Sequence, residues 1–563
     1  MRYLRWQLLI VIIALVSIGV LLLSQQSELP AMPGEVQPVT GGVYSEGLVG
    51  YLGRLNPVLD FYNPPDRDVN RLIYSSLVRF DSRGLAQLDL AESMGISRDG
   101  LVYNVALRED AVWHDGQPVT SADVLFTVEL LRDENIPIPE DVKSLWNAVE
   151  VEALDAYMVQ FRLPEPYSPF LDFLGFGILP EHLLGNLNAE QIIDADFNLN
   201  PIGSGPYQFE YFLVEDDHIA GVVLTTYPDY YGEAPFIDQV VFRYYPDSQS
   251  ALRAYRADEV MGISHVTDDI LAASLQEPGL NIYTGRLPQI TMIFLNLDNP
   301  EVSFFQEESI RLAMLKGLNR QSMIDNLLDG QAIIAHGPVF PESWAYYPEL
   351  PRVEFDPEQA IKILQEEGFT IPAEGGSIRA REDEYFVFSM LFPDNDKHRQ
   401  LAEAVQRDWA RLGIDVKLEP IPYEQLISDH LDQRIYEAVL VDLNLAFTPD
   451  PDPYPFWHQS QITGGQNYAK WDDRRASEYL EHARVTLDLE KREWMYHNFQ
   501  VRFVQELPAL PLFYPVYTYA VDSRVQGVSM GPLFDTSDRL ATITSWFLRA
   551  ESSVSEAEEM EEE

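Results

Sequence analysis

Strand-like and helix-like segments alternate along this chain without a fixed repeat, and this alternation restricts the fold more than any other feature. The segments 239–245 ("QVVFRYY") and 291–297 ("TMIFLNL") are rich in β-branched, aromatic and aliphatic residues, which predicts strands. Apolar residues three and four positions apart predict helices within 309–328 ("SIRLAMLKGLNRQSMIDNLL") and 401–413 ("LAEAVQRDWARLG"). The chain is therefore predicted to be α/β or α+β.

One further helix is predicted with both of its ends. In 356–369 ("DPEQAIKILQEEGF"), Asp356 is a favourable N-cap and Pro357 suits the first helical position. Gly368 suits the end, because glycine adopts the left-handed conformation that often follows a helix. A helix is therefore predicted between these two residues.

Length and charge narrow the possible functions. A chain of 563 residues is long enough for several lobes, at roughly 150 residues per domain. It carries 39 Lys and Arg against 89 Asp and Glu, a formal net charge of -50. Nucleic acids and anionic membrane surfaces bind mainly to Lys and Arg, so neither is expected as a partner. The acidity is better explained by solubility or by adaptation of the organism than by an acidic binding patch.

The chain contains no cysteine. Disulfides, thiolate nucleophiles and cysteine-ligated zinc are therefore excluded. A lipid anchor attached to an N-terminal cysteine is excluded for the same reason. If the protein is held at a membrane, another segment must hold it.

That segment is predicted at 1–27. Arg2 and Arg5 precede an uncharged apolar run over 8–23, whose length lies between that of a signal-peptide core and that of a spanning helix. No small-x-small cleavage site follows it, which favours an uncleaved anchor over a cleaved signal sequence. In either case the chain from about Gly41 onward lies outside the cytoplasm. A proline-containing linker is predicted at 28–41, and a disordered acidic tail at 550–563.

His114 and Asp115 lie side by side in "WHDG" and could suggest a catalytic pair. A turn is the better interpretation, because Asp115-Gly116 is a turn dipeptide and Pro118 follows. Thr120 or Ser121 can then cap a helix that has Asp123 in its first turn. The sequence has no GxSxG elbow, HExxH helix or phosphate-binding P-loop. Composition alone does not exclude a glycosidase, but no motif favours an enzyme, a metal site or a cofactor.

Five segments, taken in order, resemble the extracytoplasmic solute-binding proteins of ABC importers, family 5, whose members bind peptides and in some cases nickel or oligosaccharides. The first extends from "LNPVLDFYNPPDRDVNRLIYSSL" through "WHDGQPVTSADVLFT", and the second is "PIGSGPYQF". The others are "DPEQAIKILQEEGF", "DPDPYPFWHQSQ" and "QNYAKWDD", of which the last two resemble the stretch that lines the family's binding cleft.

This resemblance implies an α/β fold: a two-lobed clamp of the class II periplasmic-binding-protein type with an additional inserted domain. The implied lobe I combines 42–83, 200–285 and 519–549, the inserted lobe II covers 84–199, and lobe III covers 286–518. Ligand would stabilise the closed clamp because it touches both sides only when the lobes are together. The implied partners are a peptide or other small solute and the permease subunits of the importer, and the protein is expected to be a monomer.

The resemblance also points to ligand contacts. Many relatives pair the amino terminus of a peptide with an Asp, but the matching place here is Pro449, so Asp450 or Asp452 is predicted to substitute. The segment 389–396 ("SMLFPDND") lacks the Arg that some members use for the ligand carboxylate. An oligosaccharide would need aromatic and amide groups, which Tyr454, Trp457, Asn467, Tyr468 and Trp471 supply. No His, Met or Cys set favours nickel. The alternative function is a membrane-anchored solute sensor with the same fold.

Overall fold

The computed structural model describes residues 38–445, 449–531 and 533–549. The predicted membrane segment at 1–27, most of the predicted linker and the predicted acidic tail lie outside these ranges. Within the described ranges, no helix is both long enough and apolar enough to cross a membrane.

The chain contains both β-strands and α-helices. The strands are β1 (Val43–Val49), β2 (Val78–Phe80), β3 (Ala86–Leu88), β4 (Ala91–Ile96), β5 (Val102–Leu107), β6 (Glu150–Asp155), β7 (Met158–Arg162), β8 (Tyr207–Glu215), β9 (His218–Thr226), β10 (Gln239–Tyr245), β11 (Gly262–Ile263), β12 (Leu280–Arg286), β13 (Gln289–Leu295), β14 (Ala332–Ile334), β15 (Ala380–Arg381), β16 (Glu384–Tyr385), β17 (Val387–Pro393), β18 (Asp415–Ile421), β19 (Ala438–Asn444), β20 (Ala509–Asp522), β21 (Val525–Gln526) and β22 (Phe547–Leu548).

The α-helices are α1 (Pro64–Ile73), α2 (Ser121–Arg132), α3 (Glu140–Ala148), α4 (Glu181–Leu184), α5 (Ala189–Ile193), α6 (Ser248–Arg256), α7 (Asp268–Ser274), α8 (Glu308–Lys316), α9 (Arg320–Leu327), α10 (Pro357–Glu366), α11 (Asp396–Leu412), α12 (Tyr423–Gln425), α13 (Tyr454–Trp457), α14 (Arg474–Val485) and α15 (Leu489–Glu506). Short 3-10 helices include Ser168–Leu174 and Thr536–Leu540.

A large sheet passes through the first and third lobes, in the order β18-β17-β19-β13-β20-β11-β1-β10-β9-β8. Strand β20 joins its two halves. Its first half pairs with β13 and β14, and its second half pairs with β12 and β11. The change of partner falls at Pro515 and Val516, which pair with Ala332 and Arg286 respectively. The chain thus crosses between the first and third lobes within β20. It also crosses between them at Leu287-Pro288, which links β12 to β13.

The inserted segment forms a separate four-stranded sheet, in the order β4-β5-β7-β6. It nevertheless shares one hydrophobic core with the first lobe, since Trp146 and Phe161 belong to the same buried cluster as Tyr44 and Trp546. The first lobe and the insertion are therefore one body. The lobe boundaries predicted from the sequence stay a prediction. The two places where the chain passes between the first and third lobes lie close to the predicted boundaries.

The third lobe has its own core on each face of its sheet. Strand β13 shows why, because its side chains alternate between the two faces. Ile293 and Leu295 enter one buried cluster with α11, whereas Met292 and Phe294 enter the other with α15. A strand that is covered on both faces needs an almost continuous apolar sequence, which the segment "ITMIFL" supplies.

The local predictions made from caps are confirmed. Asp356 caps α10 by accepting a hydrogen bond from the backbone N–H of Gln359 at 2.9 Å, and Gly368 has a positive φ of 87°. The predicted helical segment 309–328 differs in one respect, because it is divided into α8 and α9. Helix α8 ends at Lys316, and Asn319 caps α9 by accepting a hydrogen bond from the N–H of Ser322.

The "WHDG" segment is a turn, as predicted. The N–H of Trp113 donates to the carbonyl of Gln117 at 2.7 Å, and Gly116 has a positive φ of 83°. Thr120 is the N-cap of α2, and its N–H donates to the carboxylate of Asp123 at 2.8 Å. Burial lowers the pKa of His114 to about 4, and its ring lies between the backbone of Gly203 and that of Gly205. His114 therefore ties the insertion to the first lobe.

Candidate functional site

A cavity of about 590 Å³ lies between the two bodies of the molecule. Ligand pockets for small solutes commonly have volumes of about 300 to 1,000 Å³. The first lobe contributes side chains from α1 and from the segment around the 3-10 helix Thr536–Leu540, and the third lobe contributes the ends of β17 and β19 with the start of α11. The lining residues are Pro64, Arg67, Leu287, Pro288, Gln289, Pro393, Asn395, His398, Tyr423, Asp442, Asn444, Phe534, Asp535 and Thr536.

The crossing between the lobes forms part of the cavity wall. Leu287, Pro288 and Gln289 all line the cavity, and they connect β12 of the first lobe with β13 of the third. A movement at this crossing therefore changes the distance between the two polar walls. Hinge movements of clamp-like proteins use a few residues at the ends of elements in this way.

Asp442 is the acidic group of the third-lobe wall. It lies near the end of β19, and the hydroxyl of Thr291 on the neighbouring strand β13 donates to it at 2.5 Å. Lys397 Nζ and His398 Nε2 each lie 3.4 Å from its Oδ2. Burial opposes ionisation, but the contacts with His398, Lys397 and Thr291 outweigh it and lower the pKa of Asp442 to about 2. This carboxylate is therefore ionised at neutral pH.

The end of β17 and the start of α11 place Lys397 and His398 next to Asp442. The strand ends at Pro393, and Asn395 caps α11 by accepting a hydrogen bond from the N–H of His398 at 3.0 Å. Asn395 also contacts the His398 ring, which fixes its orientation towards the strand. Lys397 is less constrained, because its side chain is 44% exposed. Because solvent screens the exposed end of this ion pair, Lys397 can move aside for another cation.

Arg67 and Asp535 form the charged part of the opposite wall, with their charged atoms 2.9 Å apart. Arg67 also donates to the backbone carbonyls of Asp60 and Phe61, which holds the guanidinium at the N-terminal end of α1. Burial opposes ionisation of Asp535, but the charge of Arg67 and hydrogen bonds from Ser537 lower its pKa. The two walls therefore carry fixed charges of both signs.

A buried ion cluster behind this wall holds the 3-10 helix Thr536–Leu540 against α1. Arg539 is almost fully buried and binds the carboxylates of Glu46 and Asp68, each at 2.6 Å. Tyr519 also donates to Glu46 at 2.6 Å. Burial, opposed by Arg539, raises the pKa of Asp68 to about 6. Asp535 and Thr536 owe their place at the cavity to this support.

The two acidic residues predicted to contact ligand are paired within the third lobe. Asp450 binds Arg492 on α15 at 2.6 Å, and both side chains are almost fully buried. Asp452 binds Arg484 on α14 at 2.8 Å. Neither lines the cavity described above, and their role as ligand contacts stays a prediction.

The predicted aromatic and amide contacts lie together in the third lobe, around α13. Tyr454 stacks on His458 with ring centroids 4.0 Å apart, and Trp457 packs edge-on against Phe503. Asn467 bridges the backbone of His458 and Trp471, and Tyr468 packs on Phe294. Trp457, Asn467, Tyr468 and Trp471 are buried, so their contacts are those of a core, and a ligand role for this set also stays a prediction.

The residues that do line the cavity were not identified from the sequence. Asp442 lies inside a buried strand, where an acidic residue is uncommon, and this was the available signal. Arg67, Asp535 and Asp442 are far apart in the chain. Long-range contacts, including the pairing of β20 with strands of both lobes, bring them to one cavity.

Comparisons with known proteins agree with this architecture. A sequence profile of the family "Bacterial extracellular solute-binding proteins, family 5 Middle" matches residues 86–465. The oligopeptide-binding protein AppA of Bacillus subtilis is 26% identical over 540 residues, covering 93% of this chain and 95% of AppA. The dipeptide-binding protein of Escherichia coli is 25% identical over 491 residues, covering 82% and 87%.

A solved structure extends the agreement to three dimensions. AppA of Bacillus subtilis in complex with a nonapeptide matches with a TM-score of 0.64 at 25% identity, over 91% of this chain and 100% of that one. The profile match covers more than half of the chain, and the fold has the two lobes and the insertion that the resemblance implied. The chain belongs to family 5 of the bacterial extracellular solute-binding proteins.

Proposed function

We propose that this protein captures a peptide-like solute in the cavity between its lobes and delivers it to the permease of an ABC importer. The observation that carries the proposal is the cavity itself, which has ionised Asp442 on one wall and Arg67 with Asp535 on the other. The names of the relatives support it, since they include an oligopeptide-binding and a dipeptide-binding protein. Family membership also supports a binding protein without catalytic activity.

The charges favour a solute that carries both signs of charge. A ligand ammonium group can replace the exposed Lys397 at Asp442, where the carboxylate is already held by Thr291. A ligand carboxylate can approach Arg67 from the cavity side. A charged hydrogen bond of this kind contributes about 1.5 to 3 kcal/mol. A free peptide, with an ammonium and a carboxylate group, meets both requirements.

The test is to identify the solute directly. Mass spectrometry of the ligand released from purified protein is expected to show short peptides. Titration calorimetry with the identified peptide, and with its N-acetylated form, then measures the contribution of the amino group. Release of only a sugar or a metal complex, with no binding of any peptide, would refute the proposal.

An oligosaccharide is the second candidate ligand, because Tyr454 and Trp457 lie on one short helix, and Trp457 and Tyr468 both pack on Phe294. Asp450, Asp452 and Asn467 complete the set of six contacts predicted from the sequence. Binding of an oligosaccharide that Tyr454→Ala abolishes would support this alternative.

A sensor that does not feed an importer would bind the same solute. Only loss of uptake in a deletion strain distinguishes the importer component from the sensor.

We also infer that the protein is tethered outside the cytoplasm by 1–27, or is released there after cleavage of that segment. The support is the sequence itself, with Arg2 and Arg5 before the apolar run. Cell fractionation followed by mass determination of the mature protein tests both forms. Full-length protein recovered in the soluble cytoplasm would refute both.

A further inference from the structure

The inserted lobe touches the third lobe through the 3-10 helix Ser168–Leu174. One side of this helix is anchored in the core that the insertion shares with the first lobe. Phe170 and Leu174 are fully buried there, and Trp146 packs on the Phe170 ring with centroids 5.9 Å apart. The helix therefore moves with the body formed by the first lobe and the insertion.

The other side of the same helix contacts the third lobe. The hydroxyl of Ser168 donates to the backbone carbonyl of Thr486 at 2.6 Å. The carboxylate of Asp172 accepts a hydrogen bond from the backbone N–H of Asp450. Next to this helix, the ring of Tyr167 lies under the guanidinium of Arg484, 5.4 Å from the ring centroid. We call these three contacts the clasp.

The third-lobe partners of the clasp are themselves firmly held. Asp450 is bound by the buried Arg492, and Asp452 by Arg484. The contact thus brings Asp172 next to Asp450, whose carboxylate is paired with Arg492. A carboxylate leaves water to join this cluster, which costs free energy unless its hydrogen bonds are satisfied. The N–H of Asp450 supplies such a hydrogen bond only while the two bodies are together.

The clasp also lies close in the chain to the cavity wall. Strand β19 carries Asp442 and ends at Asn444, and Asp450 follows shortly after it. The backbone N–H of Asp450 is thus bound to the inserted lobe, whereas β19, a few residues earlier in the chain, lines the ligand cavity. Closing of the cavity and formation of the clasp bring together the same two bodies.

We propose that the inserted lobe takes part in closing the clamp, with Asp172 as the residue that positions the Asp450 segment through the clasp. The proposal rests on the proposed function in one respect, that closing encloses a solute. It assigns a role to a lobe that contributes no side chain to the lining of the cavity among the residues described. The first lobe would then close on the ligand, and the insertion would lock the third lobe in place.

The surroundings of Asp172 disfavour its ionised form. Burial raises the pKa of Asp172 well above its usual range, the negative charge of Asp450 adds to this, and Arg492 opposes it. A neutral side chain that still accepts a hydrogen bond should therefore preserve the clasp. Asn at position 172 has these properties, whereas Ala lacks the acceptor.

The absence of cysteine allows a direct test. In the full chain, Ser168→Cys and Thr486→Cys introduce the only two thiols, at positions joined by the hydrogen bond described above. Small-angle X-ray scattering of the ligand-free protein is recorded after treatment with a short thiol cross-linker that has a reducible linkage, and again after reduction. We expect a smaller radius of gyration in the cross-linked form, restored on reduction. Each single-cysteine variant serves as the control.

Either of two results in this cross-linking experiment would overturn the proposal. Scattering curves that coincide before and after reduction, in protein shown by mass spectrometry to be cross-linked, would overturn it, because the contact would then be a permanent part of the scaffold. Failure to cross-link while the single thiols react normally would overturn it as well, since the two sides would not meet in solution.

A second pair of variants tests Asp172 itself. We expect Asp172→Ala to enlarge the ligand-free radius of gyration and Asp172→Asn to leave it unchanged, and Asp110→Asn, on an exposed site of the same lobe, is the control. Equal radii for all three variants would exclude a positioning role for Asp172.

Trialanine is the probe for the functional arm. Its release is expected to be at least about tenfold slower from the cross-linked protein, because differences between related complexes appear mainly in the rate of dissociation. If the unmodified protein fails to bind trialanine or any other peptide, the proposed function fails, but the scattering results remain valid. Unchanged release from protein that scattering shows to be compact would overturn the link between clasp and ligand.

Discussion

Two aspartates on the same stretch of the third lobe differ in their surroundings, and this difference decides what each can do. Asp442 faces the cavity and is paired with the exposed side chain of Lys397, whereas Asp450 is buried against Arg492. A ligand can exchange with an exposed ion pair at little cost. Removal of one partner from a buried pair leaves an uncompensated charge and typically costs about 3 to 5 kcal/mol. Asp442 is therefore better placed for binding and Asp450 for stability.

Replacement of Asp442 tests its contact with a ligand amino group. We expect Asp442→Asn to weaken binding of a free peptide by about tenfold or more, equivalent to about 1.4 kcal/mol, and to leave an N-acetylated peptide almost unaffected. Titration calorimetry measures both, and Asp415→Asn, on an exposed site of β18, is the control. An equal loss for both peptides would show that the variant disturbs the wall and not a specific contact.

Asp60 is predicted to make stability depend on pH. Burial raises its pKa to about 8, against the hydrogen bond from Asn70 and the charge of Arg67. The folded state therefore holds a proton that the unfolded chain releases near pH 4. The stabilisation from this proton is complete below about pH 4 and is lost as the pH rises to about 8, by up to about 1.4 kcal/mol per pH unit.

The Asp60→Asn variant should show a weaker dependence over this window, because its side chain is neutral throughout. Asn70 Oδ1 is buried without a hydrogen-bond partner among the described residues, and it can accept from the new amide or from protonated Asp60. Urea denaturation at pH 5 and pH 8 measures the difference, with the exposed Asp194→Asn as control. If the wild type and Asp60→Asn lose stability equally between the two pH values, Asp60 is not the source.

At the scale of elements, helix caps were the features that the sequence predicted best. Asp356 and Thr120 are N-caps as expected, because a cap depends on three or four consecutive residues. Helix α10 also matters to the packing of the third lobe, since the N–H of Asp356 donates to the carbonyl of Lys316 at the end of α8. The cap therefore fixes the junction of two helices.

We expect Asp356→Ala to lower the free energy of unfolding by about 0.5 to 2 kcal/mol, because the N–H of Gln359 loses its acceptor. Asp356→Asn should retain most of the stability, since its side-chain oxygen still accepts. Chemical denaturation compares these variants with Lys362→Ala, which alters an exposed residue of the same helix. Equal losses for the Ala and Asn variants would exclude the capping explanation.

The division of 309–328 into two helices and the location of the cavity were not predicted, for related reasons. Apolar spacing continues through both α8 and α9, so periodicity alone does not show the break between Lys316 and Arg320. The cavity joins α1, β19 and the 3-10 helix Thr536–Leu540, which long-range strand pairing brings together. Local patterns carry no information on such pairing. The family resemblance predicted the fold but not these side chains.

At the scale of the whole molecule, binding and closing are one equilibrium. A ligand that contacts both walls binds the closed form more tightly, and so it increases the population of that form. Saturation at about 100 times the dissociation constant should stabilise the protein by about 2.7 kcal/mol. The radius of gyration should decrease at the same time. Calorimetric melting and small-angle scattering of the same samples test both effects, and a higher melting temperature with an unchanged scattering curve would contradict the clamp.

Strand β20 also constrains the order in which the chain can fold during synthesis. It lies near the C-terminal end of the described residues, yet it is hydrogen-bonded to β13 and β14 in one lobe and to β11 and β12 in the other. While the ribosome is still translating residues before 509, each lobe therefore exposes the edges of strands that β20 later covers. Unpaired edges of this kind promote aggregation. The nascent protein must consequently remain protected, or be kept unfolded for export, until β20 has been made.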